Sequence, residues 1–492
     1  MTDRVRPYIF YDVALSICST CFRKIEAKIV FQDDKVFMLK HCAEHGHERV
    51  LVADDVAYYR RCREVFIKRP EMPLHYNTPV KWGCPYDCGL CTDHEQHSCL
   101  SLVEICDACN LTCPVCYAES GPHRLLFRDL AQVERMLDAV VRNEGQPDVV
   151  QISGGEPTIH PQFFDILDRA KARPIRHLMV NTNGLKIAES EEFTKRLAGY
   201  MPDFEVYLQF DSFERDALVA LRGADLRATR ERAIERLNRH NISTTLVVTL
   251  KKGLNDGEVG RIIDYALQQP AVRGVTLQPI QDAGRLLGFN PATDRLTLTE
   301  VRRAILEQTD VFRPEDVIPV PCHPDALAMA YALKLNGRVV PLTGLVDPKI
   351  LIEGGRNTIV YEQDDRLRDS LFALFATNHS PESSAGSLRD LLCCLPRIDA
   401  PNGLGYENVF RVIIMQFMDA HAFDVRSVKK SCVHIVHPDD GRLIPFDTYN
   451  LFYRDDLERT RLAPLRAAAA FGSAIGTPLS PPPRSHGIQA GQ

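Results

Sequence analysis

The sequence predicts an α/β fold built on parallel strands, with a small metal-binding unit ahead of it. Three observations carry that prediction. Six short, apolar, β-branched runs follow one another between residues 101 and 280, and the segments between them place apolar residues at i, i+3 and i+4. Twelve of the 16 cysteines fall between Cys18 and Cys116, in tight groups rather than at the wide spacings of a disulfide framework. The last stretch, "GTPLSPPPRSHGIQAGQ" from Gly476, is rich in Pro, Gly and Ser and has too little apolar surface to offset the entropy of ordering.

These signals divide the 492 residues into five segments: a metal-knuckle unit (1–70), a cysteine-rich cluster segment (71–100), an α/β core (101–310), a mixed α+β extension (311–455) and a disordered tail (456–492). A hydrophobic content of 45% and a charged content of 25% are those of a soluble globular protein. A net charge of -6 gives no electrostatic footprint for nucleic acid. The opening residues "MTDRVRPYIFYD" carry charges where a signal peptide is apolar, and no apolar run is long enough to span a bilayer. A cytoplasmic protein is expected.

In the first segment, Cys18, Cys21, Cys42 and His45 form C-x2-C-x20-C-x2-H. Two such knuckles can surround one tetrahedral metal, zinc or a single rubredoxin-like iron. The intervening residues alternate like a hairpin turning at Gln32-Asp33-Asp34, which would bring the knuckles together. His41 and His47 are competing ligands of lower rank.

In the second segment, "WGCPYDCGLCTDHEQHSC" presents Cys84, Cys88, Cys91 and Cys99. Four thiolates at short gaps are what a protein contributes to a [4Fe–4S] cluster, here an auxiliary one. Zinc is the rival, with His94 and His97 as substitute ligands. Gly83, Pro85 and Gly89 allow the tight turns a bulky cofactor requires.

The core runs are "SLVEI" (101–105), "DVVQIS" (148–153), "RHLMVNT" (176–182), "FEVYLQF" (204–210), "STTLVVTL" (243–250) and "GVTLQPI" (274–280). Helical patterns lie between them, as at 130–145 and 227–240. Six strand–helix units in series imply parallel strands, in a partial or full β/α barrel or a doubly wound sheet, with chemistry at the carboxyl ends of the strands. Just after the first run, Cys109, Cys113 and Cys116 form C-x3-C-x2-C. Three thiolates can hold three irons of a cubane and leave the fourth iron open. Cys106 is the odd thiol: as a fourth ligand it would close the site and leave an electron carrier. Its position at the end of an apolar run argues against that.

"CNLTCPVCYA", with Tyr117 after the last cysteine, resembles the signature of radical S-adenosylmethionine (radical SAM) enzymes. The resemblance implies a partial (β/α)6 barrel. It also implies a [4Fe–4S] cluster held by Cys109, Cys113 and Cys116, with S-adenosylmethionine (SAM) on the open iron. Reductive cleavage of SAM to a 5′-deoxyadenosyl radical would follow, with an electron donor such as ferredoxin or flavodoxin. "SGGEPT" (153–158) resembles the family's GGE motif, so Gly154, Gly155, Glu156 and Pro157 are expected around the methionine ammonium, the glycines allowing close backbone approach to the ligand. By the same resemblance Asn183 and Asp211 would contact SAM or substrate; as plain residue types they are equally turn and cap residues.

Over nearly the whole chain the sequence looks like the group containing tetraether lipid synthase and the class D radical SAM methyltransferases. That likeness implies carbon–carbon bond formation on a lipid chain, with peripheral membrane contact as its corollary. Radical methylation of a pterin or other small molecule is the alternative, and a non-catalytic iron–sulfur electron carrier the second alternative. Relatives in that group carry cysteines where this chain has Ala326 and Asp447. A third cluster would draw on Cys322, Cys393, Cys394 or Cys432, and Asp447 could supply an oxygen. The apolar stretch 409–423 is expected to form helices that could line a groove for a lipid.

Overall fold

A computed structural model of the protein describes residues 6–335, 338–345, 352 and 408–475. At the amino end, β1 (Ile9–Ile17), β2 (Lys24–Gln32), β3 (Lys35–Cys42) and β4 (Gly46–Ala53) form an antiparallel meander. The turn between β2 and β3 falls on Asp33 and Asp34, both at positive φ (52° and 56°), the backbone that suits a two-residue hairpin. Ile29, Val36 and Met38 of this sheet pack with Tyr59 of α1 (Val56–Glu64) in a small core of their own.

The central layer follows the predicted units closely. Strands β5 (Leu100–Glu104), β7 (Val149–Ser153), β8 (His177–Thr182), β9 (Phe204–Gln209), β10 (Thr244–Leu250) and β11 (Val272–Pro279) are parallel and lie side by side in chain order. The short β6 (Val115–Cys116) stands outside this series. Between the strands run α2 (Leu130–Glu144), α3 (Phe163–Lys171), α4 (Leu185–Glu189), α5 (Glu191–Ala198), α6 (Arg215–Arg222), α7 (Arg227–Arg239) and α8 (Val259–Gln268). Helix α2 shows the local logic. The Asp129 carboxylate accepts the Gln132 N–H, and Gly145 at φ 71° ends the helix. Its Val133, Met136, Leu137 and Val140 are buried against the sheet, each contributing about 1.5–3 kcal/mol.

Side-chain alternation sorts each strand between two cores. Val103, Val150, Ile152, Val180, Val206 and Leu208 face the helices. Leu100, Leu102, Val149, Met179, Tyr207 and Val247 face the other way, into the concavity that holds the site. The sheet is open: among the described residues its two outermost strands do not pair with each other.

The extension widens this sheet at both edges. After β12 (Arg285–Leu286) and α9 (Leu298–Gln308) come β13 (Ile318–Pro319), β14 (Leu327–Leu335) and β15 (Arg338–Pro341). Then β16 (Val409–Met415) pairs parallel to β11. Past α10 (Val425–Lys429), β17 (Val433–Val436) pairs parallel to β5 at the opposite edge, and β18 (Leu443–Pro445) caps it. Residues 409–415 are therefore strand, not the expected helix. Lying between β11 and β14, they are buried on both faces, and a strand in that position reads as a continuous apolar run. The tail expected from residue 456 also needs correction, because α11 (Ala463–Ile475) continues the fold, its Leu465 buried in the inner core. Residues 476–492, with Cys393 and Cys394, lie outside the described residues.

Candidate functional site

The main cavity opens at the carboxyl ends of the parallel strands and is bordered by Cys109, Cys113 and Cys116. Their loop is pinned from several sides. The Cys109 N–H donates to the Gly121 carbonyl (3.3 Å), and β6 pairs antiparallel with β12. The Arg285 guanidinium donates to the carbonyls of Cys113 (2.6 Å) and Ser120 (2.7 Å). Burial pushes the Cys109 thiol up to about 12 and raises that of Cys113. An incoming metal must therefore displace protons there. Cys106 has its own partners. Its Sγ donates to the carbonyls of Ala108 (3.6 Å) and Glu156 (3.5 Å), and it is not among the residues bordering the cavity.

The glycine pair differs from its expected use. A Cβ on Gly154, which sits at φ 133°, would strike the Cys106 carbonyl oxygen, and one on Gly155 would strike that of Ala108. Both contacts are with the cysteine loop's backbone rather than with a ligand. Gly155 N–H donates to Cys106 O (2.8 Å) and Glu156 N–H to Ala108 O (2.9 Å). Glu156 does not face the cavity. Its Oε1 accepts from Thr158 N (3.1 Å), Thr158 Oγ1 (2.5 Å) and Thr182 Oγ1 (2.7 Å), and its Oε2 from Asn183 N (2.7 Å). The buried carboxylate thus ties the end of β7 to the end of β8, with Pro157 opening a short 3-10 turn behind it. The surfaces offered to an ammonium group are the Gly154–Gly155 backbone and Asn183, which border the cavity.

Asn183 also donates to Asn110 Oδ1 (2.7 Å), linking the β8 end to the cysteine loop. Asp211 is buried behind the cavity and grips Arg222 through two bonds (2.7 and 2.6 Å). Burial raises the Asp211 pKa, but Arg222 outweighs it and the carboxylate is held below its usual range. Arg222 itself borders the cavity and reaches the Cys113 thiol. Nothing local in the sequence marks this arginine, which sits in the last turn of α6.

The extension supplies the remaining wall: Met415, Phe417, Val433 and Phe446 border the cavity. Phe417 and Phe446 stack with ring centroids 3.7 Å apart, and Tyr117 meets Phe446 edge-on at 5.0 Å. The Arg454 guanidinium lies over Tyr117 and bonds Glu104 at the end of β5 (3.0 and 2.8 Å). Asp447, just after β18, accepts the Met418 N–H just after β16. Its other oxygen is buried and has no partner among the described residues, and burial pushes its pKa up to about 7.

Two further donor sets are compact enough for a single ion. In the meander, the ligand atoms of Cys18, Cys21, Cys42 and His45 lie within 4.8 Å of one another. His45 Nδ1 stands 3.6 Å from Cys18 Sγ and 3.5 Å from Cys42 Sγ. The second set is Cys99, Cys322 and Cys432, also mutually within 4.8 Å. Its origin is the β5–β17 pairing: the Leu100 N–H donates to the Cys432 carbonyl (3.1 Å), so the residues preceding the two strands meet. This draws Cys99 into a different group from Cys84, Cys88 and Cys91. Those three stay together: Cys84 is within hydrogen-bonding reach of Cys88, Cys91 neighbours it, and the Thr448 hydroxyl donates to Cys88 Sγ (2.9 Å).

The trio at the main cavity does not gather into a knot of that kind. Its sulfurs are arrayed around shared space, a donor set that suits three corners of a cluster better than one ion.

The model of the "Radical SAM superfamily" matches residues 103–266, and that of the "HMPTM N-terminal zinc ribbon domain" matches residues 10–54. The chain is 30% identical to the 7,8-dihydro-6-hydroxymethylpterin dimethyltransferase of Methanocaldococcus jannaschii, over 92% of this chain and 96% of that one. It is 25% identical to the GTP 3′,8-cyclase of Chlorobaculum tepidum, over 39% of this chain and 59% of the relative. Among solved structures, Streptococcus suis SuiB bound to S-adenosylmethionine is similar at 16% identity and a TM-score of 0.36, over 42% of this chain and 46% of that one.

Proposed function

Because this chain belongs to the radical SAM superfamily and is an enzyme, we propose that it methylates a pterin or a closely related small heterocycle. The observation that carries the reading is the end-to-end match to a pterin dimethyltransferase, which takes in the ribbon, the core and the extension together. It favours the methylation alternative over coupling on a lipid chain. Family membership removes the reading as a mere electron carrier. No helix among the described residues is long and apolar enough to cross a membrane. We place the enzyme in the cytoplasm, where its described cysteines, all thiols, would stay reduced.

In this reading Cys109, Cys113 and Cys116 hold the [4Fe–4S] cluster, and the Gly154–Gly155 backbone and Asn183 hold the amino-acid end of SAM. When bound, the cluster supplies one electron to split the sulfonium, giving a radical able to take hydrogen from carbon. The protein's part is position and dryness. Arg222, fixed by Asp211, places a positive charge beside Cys113. Tyr117, Phe417 and Phe446 wall off the cavity and keep water from reactive species. Cys18, Cys21, Cys42 and His45 hold zinc. Cys84, Cys88 and Cys91 supply an auxiliary iron–sulfur site, and Cys99, Cys322 and Cys432 hold a single metal ion. A ferredoxin or flavodoxin delivers the electrons.

The test is anaerobic, iron-reconstituted protein with reductant, 7,8-dihydro-6-hydroxymethylpterin, SAM as radical source and a separate one-carbon donor, either further SAM or a methylene-tetrahydropterin. Expected products are 5′-deoxyadenosine and a pterin heavier by one or two methyl groups, both lost in Cys113→Ala. Turnover of a saturated lipid with no change to the pterin would overturn the proposal.

A further inference from the structure

The concave face of the sheet carries a band of neutral amides. Gln151 on β7, Asn181 on β8, Gln209 on β9 and Gln278 on β11 all border the main cavity. Beside the amides the same face carries Val149, Met179 and Tyr207, and further from the cavity His177 and Glu205, which pair with each other. Arg222 is the one charged side chain bordering the cavity among the described residues, and Asp211 neutralises it. Two of the amides are incompletely satisfied. Gln151 is only 3% exposed, and its Oε1 has no partner among the described residues. Asn181 donates through Nδ2 to Ser153 Oγ (3.4 Å), while its Oδ1 is buried and has no partner among the described residues. Gln278 is engaged, its Nε2 donating to the Tyr207 hydroxyl (3.1 Å).

An unmatched buried acceptor is costly, and native structures rarely keep two on one cavity wall without a use. Gln151 and Asn181 sit on adjacent, hydrogen-bonded strands and point to the same face on a diagonal, Gln151 pairing with Met179 and Asn181 lying two residues further along β8. Two acceptors on one face, in a cavity whose single charged side chain is neutralised, suit an uncharged, flat ligand that presents N–H donors along one edge. An acyl chain would leave both acceptors stranded. A phosphate would meet acceptor oxygens and no unpaired cation.

We infer that Gln151 and Asn181 are specificity-determining residues that accept from the ring N–H and exocyclic amine of a 2-amino-4-oxopyrimidine edge. The inference rests on the small-heterocycle reading above and names the atoms that read the ring.

The experiment is a fluorescence titration of SAM-loaded, reconstituted protein with 6-hydroxymethylpterin and with 6-hydroxymethyllumazine, in which a carbonyl replaces the exocyclic amine. Wild type should bind the lumazine at least tenfold more weakly than the pterin, a comparison that needs no variant. Gln151→Leu and Asn181→Leu, checked for iron content and thermal midpoint, should each weaken pterin binding tenfold or more and narrow the pterin–lumazine gap. Equal binding of both rings by wild type, or of pterin by wild type and both variants, overturns the inference while the methylation reading stands. Binding of guanosine but not pterin, lost in both variants, supports the edge contact and overturns the pterin assignment. Binding of neither ring overturns both.

Discussion

Substituting Gly155 by alanine separates two reasons a glycine could sit beside a bound cofactor. If the missing side chain makes room for SAM, the added methyl costs nothing until the ligand arrives. The structure gives the other answer. A Cβ there would lie 2.7 Å from the Ala108 carbonyl carbon, 2.9 Å from the Asp107 oxygen and closer still to the Ala108 oxygen. These are backbone atoms, so no rotamer change relieves the clash. Retreat of Ala108 breaks the 2.9 Å bond from Glu156 N–H and drags the adjacent Cys109. Overpacking costs about 1–3 kcal/mol. The unpaired buried N–H adds about 1–3 kcal/mol. A loss of about 2–6 kcal/mol is a large share of a typical stability of about 5–15 kcal/mol. Urea denaturation of the metal-free protein, without SAM, reads it directly. Gly257→Ala, where a Cβ meets nothing within 4 Å, is the control and should stay within about 0.5 kcal/mol of wild type. A Gly155→Ala protein as stable as that control, impaired only in SAM binding, would refute the backbone argument.

Cys106→Ala should retain the radical cluster, since that thiol serves two carbonyls away from the cavity; loss of the site-differentiated EPR signal would show it is a ligand after all. Arg454→Met strands the buried Glu104 carboxylate and should cost about 3–5 kcal/mol in urea denaturation, partly recovered by adding Glu104→Gln; an unchanged midpoint contradicts the clamp. Burial pulls His421 down, but bonds to Asp282 (3.0 Å) and Glu48 (2.8 Å) prevail and raise its pKa from 6.5 to about 9. Its stabilisation is therefore complete below about pH 6.5 and lost as pH rises through about 9, so wild type should lose more thermal midpoint across that window than His421→Gln. Parallel slopes refute the assignment. His45→Ala should lower bound zinc by one ion per chain in metal analysis, and an unchanged zinc count would exclude this site.

Local pattern carried most of this architecture into view. The six core runs were legible because parallel strands buried on both faces are short and β-branched, and the meander because Asp33 and Asp34 sit where a hairpin must turn. The cysteine triplet and the glycine pair were legible because a loop around a cofactor keeps its residues close in sequence. What stayed hidden depends on pairing between distant segments. Cys99 reads as the fourth member of a local group, and only the β5–β17 register sends it to Cys322 and Cys432. Arg222 has no motif, and its role comes from its bonds to Asp211, eleven residues earlier at the end of β9. The polar Gln151 inside "DVVQIS" was a visible anomaly, yet its meaning required knowing which face it occupies. The stretch 409–415 misled because a strand buried on both sides has no period to distinguish it from a buried helix.

The pairing of the first core strand with one near the carboxyl end has a consequence for biogenesis. On the ligand assignment proposed above, the donors of the ribbon and of the radical centre all emerge from the ribosome with the first 116 residues. The thiol trio needs Cys432, which appears only when synthesis is nearly complete. Loading of metal should therefore be staged, the amino-terminal sites first and the trio last, so that a truncated or prematurely released chain would carry its early metals yet never acquire the final one.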